Sequence, residues 1–438
     1  MRIKLSKCIL LLRRNLRKFH RIFRGKCMAI VKPFQAIRPD KKYVQKIAAL
    51  PYDVYNRDEA RVVVENNPLS FLAIDRAETA FPKEFSIYGD WVYEKAGELL
   101  DEWLEKGYFK KDSGRGFYVY ELTWRERVQN GIVAVSAVDD YLNHVILKHE
   151  NTREEKERDR IRHIEGCNAQ TGPIFLAYRD QESLNQIIKD IKAGEADFDF
   201  TNEDGVRHRV FSVFDDDTIS RIETEFAKVD KVYIADGHHR CASAAKICLK
   251  RRGQCAVYDK EAEFNYFLSV LFPQSELQIL DYNRVVRDLN GLSEDEFLNE
   301  LKTNFEIVEK EYAYSPIQKG EFGMYLKNKW YSITFKHMEL VEHNLIDSLD
   351  VSILQNYCLH PILGIDNPRT DFRLDFSGGI RGLEELERRV HTDCKVAFSM
   401  KATSMEELFR VAEKGLLMPP KSTWFEPKLR SGLFIHQL

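Results

Sequence analysis

The chain has 438 residues, of which 44% are hydrophobic and 12% aromatic. This composition excludes an intrinsically disordered protein and provides enough apolar side chains for a large core. The formal net charge of −3 excludes a polycation built for nucleic acid, so we expect no nucleic-acid partner. Residues 1–27, however, hold ten Lys or Arg and no acid, which leaves 56 basic and 69 acidic residues in 28–438, a net charge of −13. An anion bound by this acidic body must therefore be held by a local cluster of cations.

Residues 1–27 form a basic extension, which we predict to be disordered or helical and separate from a catalytic domain over 28–438. Three interpretations stay open: an organellar transit peptide, an anchor at a membrane surface, or an upstream start codon with Met28 as the true start. The run MAIVKPFQAIRPD from Met28 is typical of a domain beginning and favours the third. No run of about 18 apolar residues occurs, so we predict no transmembrane segment.

The eight cysteines include no CxxC pair, so the sequence does not indicate a structural zinc site. Cys241, Cys248 and Cys255 recur every seven residues, and we interpret them as small buried thiols on a helix rather than as metal ligands. We expect all eight to be reduced thiols and the protein to be cytoplasmic.

Strand-like and helix-like patterns alternate along 28–438. In chain order they predict a helix over 88–106, strands over 131–138, 145–147 and 231–236, a helix over 242–252, a helix over 384–389, a strand over 395–400 and a helix over 405–414. The apolar positions of the first helix are Trp91, Leu99, Leu100, Trp103 and Leu104. No repeat or low-complexity linker divides the chain. We therefore predict one large α/β unit with a mixed sheet, and leave open whether it has two lobes.

The most informative segment is Tyr233 to Arg240, which reads as a strand, a tight glycine turn and a helix start. A helix N-terminus leaves backbone N–H groups unpaired and carries partial positive charge, so it suits anions. Gly237 lets the backbone approach a ligand closely, and Arg240 is suited to grip a phosphate in a bidentate fork. His238 and His239 add directional donors. The alternative is a pair of solvent-facing histidines beside a surface arginine.

A second candidate segment, 148–163, follows a predicted strand. Thr152 and Glu155 have the spacing of a capping box, which predicts that a helix begins there. Four cationic residues of that helix fall on one face, at i, i+3, i+7 and i+10: Arg153, Lys156, Arg160 and His163. Glu150, just before the helix, is suited to act as a general base or to bind a metal. The alternative is an ordinary solvated helix face.

A third candidate is the proline-rich run 418–428. Its prolines exclude a regular helix, and Lys421, Ser422 and Thr423 resemble a phosphate-contacting loop. The patterns GxxxxGK[ST] and GxGxxG are absent from the chain, which argues against a P-loop and against a Rossmann cofactor site. Weaker candidates, each equally well a structural turn, are Pro51 to Val54 and the group His360, Pro361, Gly364, Asp366 and Asp371.

Six segments resemble the DUF1015 family in the same order: KPFQAIRP, LPYDV, KHENT, YIADGHHR, LHPILGID and MPPKSTWFEPK with SGLF. The resemblance covers most of 28–438 and leaves out 1–27. The family is similar to the ParB/sulfiredoxin-like superfamily, which implies a core of that kind and a Gly-x-His-Arg turn for nucleotide phosphates. Gly237, His239 and Arg240 match that turn, with His238 in the variable position. Sulfiredoxins place their reactive Cys where this chain has His238, so sulfinic-acid repair is not expected.

The resemblance implies a free L-serine kinase that makes O-phospho-L-serine with pyrophosphate, ADP or ATP as donor and Mg²⁺ as cofactor. It implies Asp236 to Arg240 as the donor site, with Asp236, His239 and Arg240 catalytic. It also implies a carboxylate base, for which Glu150 is the first candidate and Glu59 the second. The predicted phosphate-binding residues are Gly237, His238, His239, Arg240, Lys156, Arg160, Lys421, Ser422 and Thr423.

Two other functions stay open at this point. One is a nucleotide-binding ParB-like regulator, which would need a basic face that the acidic body does not indicate. The other is the reverse reaction, in which phosphoserine is the phosphoryl donor. The sequence leaves the donor, the exact acceptor and the oligomeric state undetermined.

Overall fold

The computed structural model describes residues 28–438, so the predictions for residues 1–27 lie outside the described part of the chain. The α-helices are α1 (Val44–Ile47), α2 (Arg57–Asn66), α3 (Leu72–Asp75), α4 (Asp90–Glu105), α5 (Val138–Leu142), α6 (Glu154–Cys167), α7 (Glu182–Lys192), α8 (Asp216–Phe226), α9 (His238–Gly253), α10 (Glu294–Leu301), α11 (Asp350–Leu354), α12 (Gly382–Thr392) and α13 (Met405–Glu413). A π-helical turn, Gln355–Leu359, directly follows α11. Within 28–438 no helix has both the length and the apolar character that a bilayer crossing requires.

The strands are β1 (Val31–Lys32), β2 (Ile37–Pro39), β3 (Phe109–Lys111), β4 (Phe117–Trp124), β5 (Arg127–Ala137), β6 (Ile146–Leu147), β7 (Ala169–Gln170), β8 (Ile174–Tyr178), β9 (Phe198–Thr201), β10 (Arg207–Val213), β11 (Val232–Asp236), β12 (Tyr266–Pro273), β13 (Ile279–Leu280), β14 (Tyr282–Val286), β15 (Phe305–Lys310), β16 (Glu321–Leu326), β17 (Lys329–Phe335), β18 (Leu374–Gly378), β19 (Val396–Ser399), β20 (Trp424–Phe425) and β21 (His436–Gln437). Short 3₁₀ turns lie at Ala77–Ala80, Glu263–Asn265, Gln274–Glu276, Met338–Leu340 and Gly379–Arg381.

The larger sheet has nine strands in the order β6-β11-β8-β12-β5-β4-β10-β9, with β1 added beside β5. Most neighbours are antiparallel, but β11 runs parallel to β6, and β12 runs parallel to β8. Its central strand β12 is buried along its whole length, as expected for a strand that is covered on both faces. The edge strand β9 instead alternates Phe198 and Phe200 inward with Asp199 and Thr201 outward. The sheet is mixed, as predicted.

The second sheet has six strands in the order β15-β17-β16-β19-β14-β18, all antiparallel to their neighbours. One continuous hydrophobic cluster contains buried residues of both sheets, including Tyr118 and Leu268 from the larger sheet and Phe322 and Phe398 from the smaller. The fold is therefore a mixed α/β structure in which two sheets share a core. The ParB/sulfiredoxin-like description of that core stays a prediction.

The packing of α4 against α6 positions the helix that follows Glu150. Gly97 and Gly166 face each other at this crossing, because a Cβ on Gly97 would lie 2.4 Å from the Gly166 carbonyl oxygen, and a Cβ on Gly166 would lie 2.4 Å from that of Tyr93. Two glycines let the helix backbones approach this closely. The inward face of α4 carries Val92, Ala96, Leu100 and Trp103 at helical spacing.

The predicted elements are observed with shifts at their ends. The helix predicted over 88–106 spans Asp90–Glu105, and the strand predicted over 131–138 spans Arg127–Ala137, because Val138 already begins α5. Of the apolar positions named for this helix, Leu100 and Trp103 are buried, whereas Trp91 is 41% exposed. All six cysteines of the described region are free thiols. Cys241 and Cys248 are buried on α9, but Cys255 is exposed beyond the end of that helix, so its predicted burial was wrong.

Candidate active site at the Asp236–Arg240 turn

The strand, turn and helix predicted around Gly237 are observed. Strand β11 ends at Asp236, helix α9 begins at His238, and Gly237 between them is the N-cap in the left-handed conformation, with φ of 90°. Glycine adopts this conformation without strain, and a Cβ here would lie only 3.0 Å from Arg240 Nε. The first N–H groups of α9 therefore point out of a tight turn, where backbone donors and partial positive charge suit an anion.

Asp236 is surrounded by positive charge. Its Oδ2 atom lies 3.3 Å from Lys428 Nζ and 3.7 Å from Arg240 Nη2, and its Oδ1 atom accepts a 2.9 Å hydrogen bond from the Gly237 backbone N–H. Burial opposes ionisation, but the charges of Lys428 and Arg240 outweigh it and hold the pKa of Asp236 below its ordinary value. Asp236 is thus an ionised anchor for two cations and a poor proton acceptor.

Arg240 lies below the turn and lines a cavity of about 30 Å³. Its Nη1 group donates a hydrogen bond to the carbonyl oxygen of Pro173. Asp75 and Thr171 line the same cavity and are joined by a 2.8 Å hydrogen bond from the Thr171 hydroxyl. The volume is enough for about two water molecules, and the cavity, which charged and apolar side chains line together, extends inward from the turn.

The cationic face predicted for helix α6 is divided between two environments. Arg160 and His163 are buried, and the Arg160 guanidinium carbon lies 3.8 Å above the ring centre of Tyr52, while its Nη2 atom pairs with Asp159 at 2.9 Å. The prediction of one continuous cationic face was therefore wrong, because Tyr52 covers Arg160 and His163 contacts the Ile74 carbonyl oxygen of α3. Arg160 lines the same cavity as Arg240, and its phosphate-binding role stays a prediction.

The predicted capping box of helix α6 does not form. The helix begins at Glu154 with Arg153 as N-cap and without a side-chain cap bond. The Thr152 hydroxyl bonds to Glu157 instead, and Glu155 accepts a 2.7 Å hydrogen bond from the Tyr88 hydroxyl. Tertiary partners thus replace the local pattern.

His239 and the start of α6 form one side of the turn. The Arg153 backbone N–H donates a 3.0 Å hydrogen bond to His239 Nε2, so the proton of the neutral ring lies on Nδ1. Burial, followed by the charge of Arg153, lowers the pKa of His239, and the charge of Lys156 acts in the same direction. The neutral imidazole of His239 and the cation of Lys156 therefore lie on the same side of the Asp236–Arg240 turn.

His149, Glu150 and His238 form a second cluster beside the turn. Their ligand atoms lie within 4.8 Å of one another, and the two imidazole rings are perpendicular, with centres 4.5 Å apart. Nδ1 of His149 and Nε2 of His238 are buried without a hydrogen-bond partner. Burial lowers the pKa of His149 to about 4 and that of His238 well below its ordinary value. Two neutral imidazoles and one carboxylate are donors that suit a transition metal such as Zn²⁺ better than Mg²⁺.

The two candidate base residues have different environments. Burial raises the pKa of Glu150, which the charge of Lys421 lowers and that of Asp236 raises. Glu59 instead lies at the exposed start of α2, where its Oε2 atom accepts a 2.9 Å hydrogen bond from the Asn56 N–H and completes a capping box. Glu150 is therefore part of the site, whereas the contacts of Glu59 stabilise a helix end.

Only some side chains of the run 418–428 face the candidate site. Lys421 is exposed, whereas Ser422 is buried and its hydroxyl donates a 2.7 Å hydrogen bond to the Pro419 carbonyl oxygen. The Thr423 hydroxyl lies 3.4 Å from Nε2 of His149. Of the three predicted phosphate ligands in this run, Lys421 and Thr423 face the site, and the Ser422 hydroxyl is occupied by its own turn.

The family model described as a protein of unknown function (DUF1015) matches residues 31–352. The chain belongs to the DUF1015 family. The match ends before the run 418–428, so part of the site in this DUF1015 protein lies beyond the matched segment.

No curated protein matches the chain. Among solved structures, it is similar to a free serine kinase in complex with AMP, at 16% identity and a TM-score of 0.33, covering 68% of this chain and 91% of that one. It is also similar to a conserved hypothetical protein from Pyrococcus furiosus, at 16% identity and a TM-score of 0.33, covering 69% and 93%. A third is SbnI with C-terminal truncation from Staphylococcus aureus, at 12% identity and a TM-score of 0.36, covering 68% and 85%. Likeness at this level carries no argument about the reaction of the DUF1015 chain.

Three residues that contribute to the site were given no chemical role from the sequence. Lys428 supplies the nearest cation to Asp236, His149 pairs with His238, and Asp53 acts electrostatically on both His239 and Lys428. Two of them carried a usable signal, because Asp53 lies in the weak candidate Pro51–Val54 and Lys428 ends the third segment. His149 precedes Glu150 directly, but its role depends on a contact 89 residues away in the chain, which no local pattern reports.

Proposed function

We propose that this DUF1015 protein is a phosphotransferase with an alcohol acceptor, which phosphorylates the hydroxyl of free L-serine to O-phospho-L-serine. The observation that carries the proposal is the juxtaposition of Glu150, a carboxylate whose pKa is raised by burial, with the cationic turn around Asp236. Phosphoryl transfer requires little covalent chemistry from the protein, so anion-binding donors next to a proton acceptor are sufficient. The choice of serine as the acceptor is supported by what the resemblance of the six sequence segments implies.

The turn is the proposed binding site of the donor, which is pyrophosphate, ADP or ATP. The N–H groups at the start of α9 and the side chains of Arg240, Lys428 and Lys156 would contact the phosphate oxygens. Asp236 would hold Lys428 and Arg240 in place between turnovers, which prevents these cations from repelling each other. The neutral His239 would add a hydrogen bond without further charge.

Glu150 is the proposed general base. In the transfer, the serine hydroxyl oxygen forms a bond to the transferred phosphorus, the bond from that phosphorus to the bridging oxygen of the donor breaks, and the hydroxyl proton passes to Glu150. A carboxylate whose pKa is raised towards neutrality is a stronger proton acceptor than an ordinary one. Asp236 is less suited, because its pKa is lowered.

Mg²⁺ fits this site through oxygen ligands. In phosphotransferases it is held by one or two carboxylates together with phosphate oxygens. Asp236 and Asp53 both act electrostatically on Lys428, and they are the carboxylates that would hold it. When bound, the ion supplies neutralisation of phosphate charge. The nitrogen atoms of His149 and His238 do not suit Mg²⁺, so these residues are not assigned to it.

The proposal is tested by phosphorus NMR on the full chain with L-serine and Mg²⁺, incubated separately with ATP, ADP and pyrophosphate. An O-phosphoserine signal with one donor identifies the reaction and the donor together. Tight nucleotide binding without product in any incubation contradicts the proposal and favours the nucleotide-binding regulator. Incubation of O-phosphoserine with phosphate or a nucleoside diphosphate measures the reverse direction in the same assay.

A further inference from the structure

A buried arginine without an acidic partner lies in the second sheet. Arg284, on β14, is 4% exposed, and no described carboxylate forms an ion pair with it. Its Nη2 group donates a 3.0 Å hydrogen bond to the Lys421 carbonyl oxygen, and its Nη1 group bonds to the Tyr282 carbonyl oxygen. The centre of the Phe376 ring lies 5.4 Å from the Arg284 guanidinium carbon. A buried guanidinium whose partners are neutral carbonyl groups and a ring, with no carboxylate, is unfavourable unless an anion can reach it.

Arg284 lines a cavity of about 210 Å³, the larger of the two cavities described here. Ser352, on α11, also lines it, is 4% exposed, and has a hydroxyl without a hydrogen-bond partner. The π-helical turn Gln355–Leu359 forms part of the wall, and such turns are rare and frequent at functional sites. The cavity thus combines an unpaired cation with an unused polar group.

Asp347 is a further charged group in the wall of this cavity. It is half-buried, and no described Lys or Arg forms an ion pair with it. Arg284 and Asp347 do not pair with each other, so the cavity holds two opposite charges that are both available. An amino acid carries the complementary pair, a carboxylate and an ammonium group, on one small molecule.

We propose that this cavity binds a free amino acid, with its carboxylate on the Arg284 guanidinium and its ammonium group on Asp347. A guanidinium donates two parallel hydrogen bonds to a carboxylate, and the buried hydroxyl of Ser352 supplies one more polar partner. Inorganic phosphate shares the anionic chemistry but lacks the cation for Asp347.

The cavity adjoins the candidate active site through one loop. Pro419 and Pro420 form part of its wall. The charge of the next residue, Lys421, lowers the pKa of Glu150. The backbone N–H of the preceding residue, Met418, donates a 2.8 Å hydrogen bond to the His149 carbonyl oxygen. The assignment of the bound amino acid as the phosphoryl acceptor rests on the proposed function, whereas its binding does not.

Isothermal titration calorimetry on the full chain tests the inference with three probes: L-serine, ethanolamine, which is serine without its carboxylate, and inorganic phosphate. We expect L-serine to bind at least 10-fold more tightly than ethanolamine, and Arg284→Gln to weaken L-serine binding by about 10- to 100-fold. Arg287→Gln is the matched control, because Arg287 follows β14 directly and its side chain is 45% exposed. Its affinity for L-serine should equal that of the wild type.

Equal binding of ethanolamine, no binding of L-serine to the wild type, or unchanged L-serine affinity in a folded Arg284→Gln variant overturns the inference. Loss of phosphate binding in Arg284→Gln with L-serine binding intact also overturns it, and assigns the cavity to phosphate. If Arg284→Gln does not fold, two other measurements test the inference. These are the comparison of L-serine with ethanolamine on the wild type and the expected loss of L-serine affinity in Asp347→Asn. Arg284-dependent L-serine binding without phosphotransfer would keep this inference and reject the proposed function. Turnover with an unchanged KM for L-serine in Arg284→Gln would keep the proposed function and reject this inference.

Discussion

Two clusters of polar side chains lie at the same turn, and burial affects their charges in opposite ways. Asp236, Lys428 and Arg240 remain charged and pair with one another. Beside them, burial disfavours the charge on His149, His238 and Glu150, and two ring nitrogens have no partner. His238 and Asp236, two positions apart in the chain, thus differ in charge because of their immediate partners and not because of depth alone.

One turn therefore brings together two clusters that suit two different tasks. The paired cluster presents a fixed charge distribution that changes little with pH, which suits the binding of a phosphate group. The cluster of His149, Glu150 and His238 offers a carboxylate that can accept a proton and two uncharged imidazoles that can bind a ligand. Four substitutions or titrations separate these roles.

The largest effect is expected from Glu150→Gln, which removes the proposed proton acceptor from the cluster of His149, Glu150 and His238. The substitution keeps the shape of the side chain. Because general-base catalysis contributes about 10²- to 10⁴-fold, we expect kcat to fall by that factor while the unfolding midpoint stays within a few degrees. The measurement is steady-state phosphotransfer together with thermal unfolding. Glu59→Gln is the control, since glutamine also completes the capping box at Asn56. A larger loss in Glu59→Gln than in Glu150→Gln would exchange the two assignments.

The second prediction concerns the pH dependence of stability. His149 has an ordinary pKa of 6.5 and a pKa of about 4 in the folded protein, so the unfolded chain binds more protons between these values. The free energy of unfolding contributed by His149 is therefore complete above about pH 6.5 and falls by about 3 kcal/mol as the pH drops to 4. Urea unfolding from pH 4 to 7.5 should show a shallower slope for His149→Gln than for the wild type. Identical slopes would place the His149 imidazole outside the buried cluster.

The third prediction tests the paired cluster. Lys428→Met removes the nearest cation from Asp236 and leaves a carboxylate whose side chain is 30% exposed. A fully buried broken pair costs about 3–5 kcal/mol, and partial exposure reduces this to about 1–3 kcal/mol of unfolding free energy. The double variant Lys428→Met with Asp236→Asn should recover part of this loss in urea unfolding. Additive losses would show that the two side chains do not interact.

The smallest expected effect concerns Lys421, in the loop 419–421, and its influence on the pKa of Glu150. Lys421 lowers the pKa of Glu150, so Lys421→Ala should move the acid limb of the kcat profile to higher pH. Lys414→Ala, at the exposed end of α13, is the control and should leave the limb in place. An acid limb that moves to lower pH in Lys421→Ala would contradict the assignment of Glu150 as the titrating base.

The sequence was sufficient to predict the local core of the site. A β-branched run, a glycine and a helical pattern defined β11, the turn and α9, because those signals depend on neighbouring residues. The contacts of Lys428 and His149 with the turn could not be predicted, because each joins residues distant in the chain. Tertiary packing also overrode local pattern at Thr152, where Glu157 replaced the expected cap, and at Arg160, which Tyr52 covers.

The position of Lys428 in the chain has a consequence during synthesis. Asp236 and Lys428 are 192 residues apart, and the closing strand β21 pairs with β7 only at His436 and Gln437. At about 5–20 residues per second, roughly 10–40 seconds separate translation of the turn from translation of its lysine. Throughout that interval the nascent chain carries Asp236 without its nearest cation, so the turn acquires this ion pair only after Lys428 has emerged from the ribosome.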